Sequence, residues 1–137
     1  MNSTHDTSRH IGVHIDRPVQ EVYAYTSDPT NLPAWARGLA GAVEKVGDQW
    51  VATASALGRV VVSFAPPNEF GVLDHDVTLP SGVTIYNPLR VIADGTGSEV
   101  VFTLRRQPEM TDAEFERDAG AVADDLARLR DLLESEG

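Results

Sequence analysis

Residues 73–87 read LDHDVTLPSGVTIYN, and their alternation decides the fold. Successive side chains of a strand point to opposite faces. Leu73, Val77, Leu79, Val83 and Ile85 therefore share one apolar face. Pro80-Ser81-Gly82 supplies the residues a tight reversal needs, which makes the stretch a hairpin. That turn sets Leu79 against Val83, Val77 against Ile85 and His75 against Asn87. Two polar residues thus fall on an apolar face. A buried polar group without a partner costs on the order of 1–3 kcal/mol. His75 and Asn87 must bond each other, bond water or meet a ligand. Two readings stay open: a satisfied pair that fixes register, or the polar spot of a cavity. Asp74 and Asp76 take the opposite face, so strand parity rejects an Asp-His-Asp relay.

The parity extends to the neighbouring strands. Asp94-Gly95-Thr96-Gly97 is a turn signal. A four-residue turn between Ala93 and Ser98 sets Val91 against Val100, Leu89 against Phe102 and Asn87 against Leu104. Val100, Phe102 and Leu104 then form the inner face of a last strand, Glu99 to Arg106, and Arg106 shares that face near a ligand carboxylate's reach. Val60, Val62 and Phe64 do the same for a strand from Arg59 to Ala65. Three strands agree on one inner face. Pro88 removes a ladder donor, so a bulge there can reverse parity beyond Asn87.

Upstream, His10 to Asp16 reads as a strand with Ile11, Val13 and Ile15 on one side and His14 on the other. Pro18 suits the first turn of a helix striped by Val19, Val22, Tyr23 and Thr26. Asp28-Pro29 opens a second short helix that carries Leu32, Trp35 and Leu39. Ala42 to Val46 and Trp50 to Ser55 are further strands. At the other end, Thr111-Asp112-Ala113-Glu114 has the pattern of a capping box. Phe115, Ala119, Val122, Leu126, Leu129 and Leu133 follow at helical spacing. Such a helix spans about 35 Å at 1.5 Å per residue and needs a whole curved sheet to cover it.

Composition narrows the function. The 137 residues suit one domain, with residues 1–8 as a polar, flexible tail and 9–137 as the folded unit. There is no cysteine, which removes disulfides, thiol nucleophiles and thiolate metal sites. The net charge of −10 repels nucleic acid and anionic membrane surfaces. No apolar run approaches the ~20 residues of a membrane span. The N-terminal residues lack the apolar core of a signal peptide, so a cytoplasmic location is expected. His5, His10 and His14 have no metal-site spacing, and neither metal nor cofactor is expected.

The opening IDRPVQEVY (residues 15–23), then SDPTNLPAW (27–35), resembles the START-like superfamily, also called SRPBCC or Bet v 1-like. It looks like the polyketide cyclase/dehydrase group of that superfamily. The layout matches from about Arg9 to Glu134. The resemblance implies an α+β helix-grip fold: a seven-stranded antiparallel sheet curved around the C-terminal helix, with two short helices between strands 1 and 2. It implies a cavity between sheet and helix that takes a small, mostly apolar molecule, aromatic or polyketide-like. Relatives include cyclases, carriers of lipids and steroids, hormone receptors and co-chaperones, and fold does not choose among them.

The expected ligand contacts are Trp35, Val62, Phe64, His75, Asn87, Phe102, Leu104, Met110, Phe115 and Ala119. His75 is the residue expected to act as acid or base, since a near-neutral pKa suits cyclisation and dehydration. Gly120 and Ala123 leave either volume for a ligand or room for close packing. The alternatives are a non-catalytic carrier or sensor, and a protein-interaction module using the acidic helix face. Monomer and homodimer both remain open. An empty cavity of ~300 Å³ would cost about 7 kcal/mol at ~24 cal/mol per Å³, so polar groups that admit water make it cheaper to keep.

Overall fold

The computed structural model describes residues 7–37, 41–54 and 58–135. Elements run β1 (Ser8–Ile15), α1 (Val19–Thr26), a 3₁₀ turn (Pro29–Asn31), α2 (Leu32–Trp35), β2 (Ala42–Val46), β3 (Gln49–Ala54), β4 (Gly58–Phe64), β5 (His75–Thr78), β6 (Thr84–Asn87), β7 (Leu89–Asp94), β8 (Gly97–Arg105) and α3 (Asp112–Ser135). This is an α+β helix-grip fold in which antiparallel strands curve around α3. The expected Leu39 and Ser55, and residues 1–6 of the expected tail, lie outside the described residues.

Local chemistry sets the element ends. Pro18 is the extended residue just before α1, so its missing N–H costs the helix nothing. Asp28 caps the 3₁₀ turn, its carboxylate accepting from the backbone N–H and the hydroxyl of Thr30. At α3 the Thr111 hydroxyl accepts from Glu114 N–H at 3.1 Å, and the Glu114 carboxylate accepts from Thr111 N–H at 2.8 Å. That reciprocal box satisfies two backbone donors. Phe115, Ala119, Leu126, Leu129 and Leu133 are buried along the helix, while Gly120 and Ala123 face outward and leave no volume beneath the sheet.

Register follows the hairpin. His75 pairs with Asn87, Val77 with Ile85 and Thr78 with Thr84. Val91 pairs with Val100 and Leu89 with Phe102. The connecting turn is shorter than four residues, because Asp94 also pairs with Gly97 and only Gly95-Thr96 is left to reverse the chain. Val83 is the exception on the apolar face. It is 54% exposed, because the hairpin tip runs past the end of the core.

The expected seven strands are eight among the described residues, in ladders of order β2-β3-β4-β5-β6 and β1-β8-β7. Pro88 makes the difference. It has no N–H to donate and divides one long strand into β6 and β7. Its carbonyl still accepts from Thr103 N–H at 2.9 Å. Parity survives the break, since Leu89 and Val91 are both buried. Residues 71–73 continue β5 beside β7, through Leu73 N–H to Leu89 O and Val91 N–H to Gly71 O. Gly71 has φ +74°, and a Cβ there would collide with the Val91 carbonyl, so only glycine fits this close approach.

Asp74 holds the break from outside. Its carboxylate accepts from Tyr86 Oη at 2.7 Å, from Leu89 N–H at 2.9 Å, and from two nitrogens of Arg90 at 2.8 Å each. These donors, Arg90 foremost, hold its pKa down at about 2 despite partial burial. The folded pKa is lower than the unfolded one, so this stabilisation is full above pH ~4 and is lost as pH falls toward 2. Arg90 is half exposed, which screens the pair, so we expect about 1–2 kcal/mol. Asp74→Asn should lower stability by that amount in urea unfolding at pH 7, with the difference from wild type shrinking at pH 3. An equal loss at both pH values would show that the carboxylate charge is not what holds the junction.

Candidate functional site

The inner face of the sheet, α2 and α3 enclose a cavity of about 400 Å³. Phe64, His75, Val77, Ile85, Asn87, Phe102 and Leu104 form its sheet wall. Leu32, Trp35 and Ala36 close one side from α2. Asp118, Ala121, Val122, Asp125 and Leu126 form the helix wall, with Arg105, Gln107 and Met110 at the end near the start of α3. Arg128 ties α2 to α3, donating to Asp125 Oδ1 at 3.0 Å and to the Trp35 carbonyl at 3.4 Å.

His75 is the buried polar residue of the sheet wall, at 6% exposure. Phe64 lies tilted against its ring at 5.1 Å between centroids, and Phe102 meets it edge-on at 6.1 Å. Nδ1 sits 3.0 Å from the Leu73 carbonyl oxygen. A carbonyl can only accept, so Nδ1 carries the proton in that bond. Burial pushes the His75 pKa below its ordinary 6.5, outweighing the Leu73 bond and the two aspartates outside. The ring is therefore neutral near pH 7, and Nε2 keeps a free lone pair.

Asn87 faces His75 across the strands, and both line the cavity. The hydrogen bonds of the described residues do not join their side chains. The Leu73 carbonyl satisfies His75 instead, a backbone partner that residue parity does not reveal.

Trp35, Phe64, His75, Asn87, Phe102, Leu104 and Met110 thus lie on one cavity. Three expected contacts do not. Val62 is 1% exposed and borders a separate space of about 370 Å³ with Tyr23, Trp50 and Leu73. Phe115 and Ala119 pack with Leu104 in a small second core. Phe115 is held between guanidinium groups, Arg9 at 4.9 Å and Arg106 at 5.4 Å from its ring centroid. Arg106 is committed there as well. It donates to the Met110 carbonyl and to Asp112, so it does not reach into the cavity as its parity suggested.

The helix face turned to the cavity is Asp118, Ala121, Val122 and Asp125, at i, i+3, i+4 and i+7. Burial raises the pKa of both its aspartates. Asp125 reaches about 6 because desolvation outweighs Arg128. The spacing beside the apolar stripe was the available signal. Trp35 Nε1 is buried without a hydrogen-bond partner among the described residues.

A curved antiparallel sheet gripping a long C-terminal helix, with a largely apolar cavity between, defines the START/Bet v 1-like class. The chain belongs to the family described as "Polyketide cyclase / dehydrase and lipid transport", whose profile matches residues 6–134. Family and fold together are those of proteins that bind hydrophobic ligands. Among solved structures, XoxI from Bacillus cereus aligns at TM-score 0.74 and 10% identity, over 96% of this chain and 99% of that one. A START superfamily protein from Mycobacterium smegmatis aligns at 0.69 and 14%, over 95% and 99%. DynU16, a protein of the dynemicin biosynthetic locus, aligns at 0.72 and 16% over 96% of this chain. The chain spans about half the length of DynU16, 49%. No curated protein matches the sequence. No helix among the described residues is long and apolar enough to cross a membrane.

The depressed pKa gives a direct check. The midpoint of His75 protonation in the folded state should lie below 6.5 when followed by NMR. The unfolded chain takes up that proton first, so His75 should cost stability as pH falls below 6.5. A His75 that titrates at or above 6.5 would contradict its burial as a neutral ring.

Proposed function

We propose that the protein binds a small, mostly apolar molecule in the cavity between the sheet and α3. The observation that carries this is the cavity itself. Its volume of about 400 Å³ falls within the range of small-molecule sites, and one polar edge on an aromatic wall is the usual lining of such sites. Trp35, Phe64 and Phe102 supply flat apolar surface, which suits an aromatic or polyketide-like ring system. Residues 9–137 act as one ligand-binding unit in this reading, working without a cofactor.

A catalytic version is favoured by one feature, the free Nε2 of a neutral His75. Such a nitrogen can take a proton in a cyclisation or dehydration step, with Asn87 holding a nearby carbonyl. A carrier would use the same contacts without turnover. His75→Ala that removes turnover while retaining affinity would favour the enzyme, whereas loss of affinity alone would favour the carrier.

Filling the cavity tests binding without touching the polar residues. Ile85 is half-buried on the cavity wall, and Ile85→Trp adds bulk there. The variant should stay folded by circular dichroism and bind apolar fluorescent probes at least tenfold more weakly than wild type. Unchanged affinity would place the binding elsewhere.

A further inference from the structure

The hydrogen bond between His75 and Leu73 fixes more than the ring's orientation. Because a carbonyl oxygen cannot donate, the proton of the neutral ring resides on Nδ1. Nε2 is then an acceptor and nothing else. Asp74 and Asp76, the carboxylates next in sequence, are turned to the outer face, so neither offers Nε2 a proton. Phe64 and Phe102 flank the imidazole and offer no conventional donor either. Asn87 stands across the strands, and its side chain is free of hydrogen bonds to the described residues. Nε2 is not among the buried atoms left without a partner, and His75 lines the cavity. A ligand that covers Nε2 without donating to it would bury an unpaired acceptor, which is costly, so a ligand that donates a hydrogen bond is selected over one that does not.

We propose that the cavity selects neutral aromatic hydroxyl compounds, with the phenolic O–H donating to His75 Nε2 and the ring lying among Phe64, Phe102 and Trp35. This rests on the cavity being the binding site. A phenolate would lose the match, because it has no proton to donate. An ether of the same shape would lose it too, because it also only accepts. Asn87 is the next polar group along the wall, with both a donor and an acceptor. A ring oxygen beside the hydroxyl falls to Asn87, since cross-strand partners have Cβ atoms roughly 4.5–5.5 Å apart. His75 is thus a specificity-determining residue through its tautomer, whether or not a reaction follows.

The test uses 1-naphthol, 1-methoxynaphthalene and naphthalene as probes of matched shape. Binding to the full chain is followed by calorimetry, with wild type and His75→Phe. Wild type should bind 1-naphthol roughly three- to tenfold more tightly than 1-methoxynaphthalene, the advantage of one neutral hydrogen bond. His75→Phe should bind the two alike. Equal binding of both probes by wild type would overturn the phenol preference and leave the cavity as the site. Failure of wild type to bind any of the three would overturn the cavity reading and the preference with it. Should His75→Phe not fold, ¹⁵N NMR of wild-type His75 decides. A proton on Nδ1 with bare Nε2 is expected, and a proton on Nε2 would overturn the proposal.

Discussion

The four hydrogen bonds that Asp74 accepts on the outer face are the constraint on which the site depends. Pro88 interrupts the sheet between β6 and β7. Without a clamp, the pieces on either side could slip, and a slip of one residue would turn every side chain to the other face. Asp74 binds Tyr86 on one side of the proline and Leu89 and Arg90 on the other. Parity then does the rest. With Asp74 held outside, its neighbour His75 must point inside, where burial favours the neutral ring. The junction that tolerates a proline in the sheet is also the device that places an imidazole on the cavity wall.

The interior is arranged so that this histidine is partly satisfied. Its Nδ1 has the Leu73 carbonyl, which removes one of its two polar costs. Nε2 keeps the other for the cavity. Around it the structure spends its rigid groups: Phe64 and Phe102 fix the ring, and Arg128 holds α2 against α3 at the far wall. The arrangement suits a site preformed before its ligand arrives, since the polar group is oriented by backbone and packing rather than by the ligand.

Much of this was legible in the sequence because strand parity is a hard geometrical rule. The pairing of His75 with Asn87, the outward turn of Asp74 and Asp76, and the inner face of Val100, Phe102 and Leu104 all follow from alternation and one turn. What was not legible depends on how α3 is rotated about its axis. An apolar stripe at 3.6 spacing fixes a face only to within a residue or so. That margin sent Phe115 and Ala119 to the cavity, where the helix in fact presents Asp118, Ala121, Val122 and Asp125. Half-buried aspartates on an acidic helix give no sign of themselves by composition. The partner of Arg106 was hidden for a similar reason, since the chain reverses after β8 and brings Met110 and Asp112 back to it.

The central claim is that His75 presents a bare Nε2 to a ligand-accessible cavity. A crystal structure at atomic resolution with 1-naphthol bound tests it most directly. The account predicts the naphthol between the sheet and α3, its oxygen within hydrogen-bond distance of His75 Nε2 while Nδ1 stays on the Leu73 carbonyl. A closed interior with Nε2 bonded to a protein group, and the naphthol bound elsewhere, would contradict it.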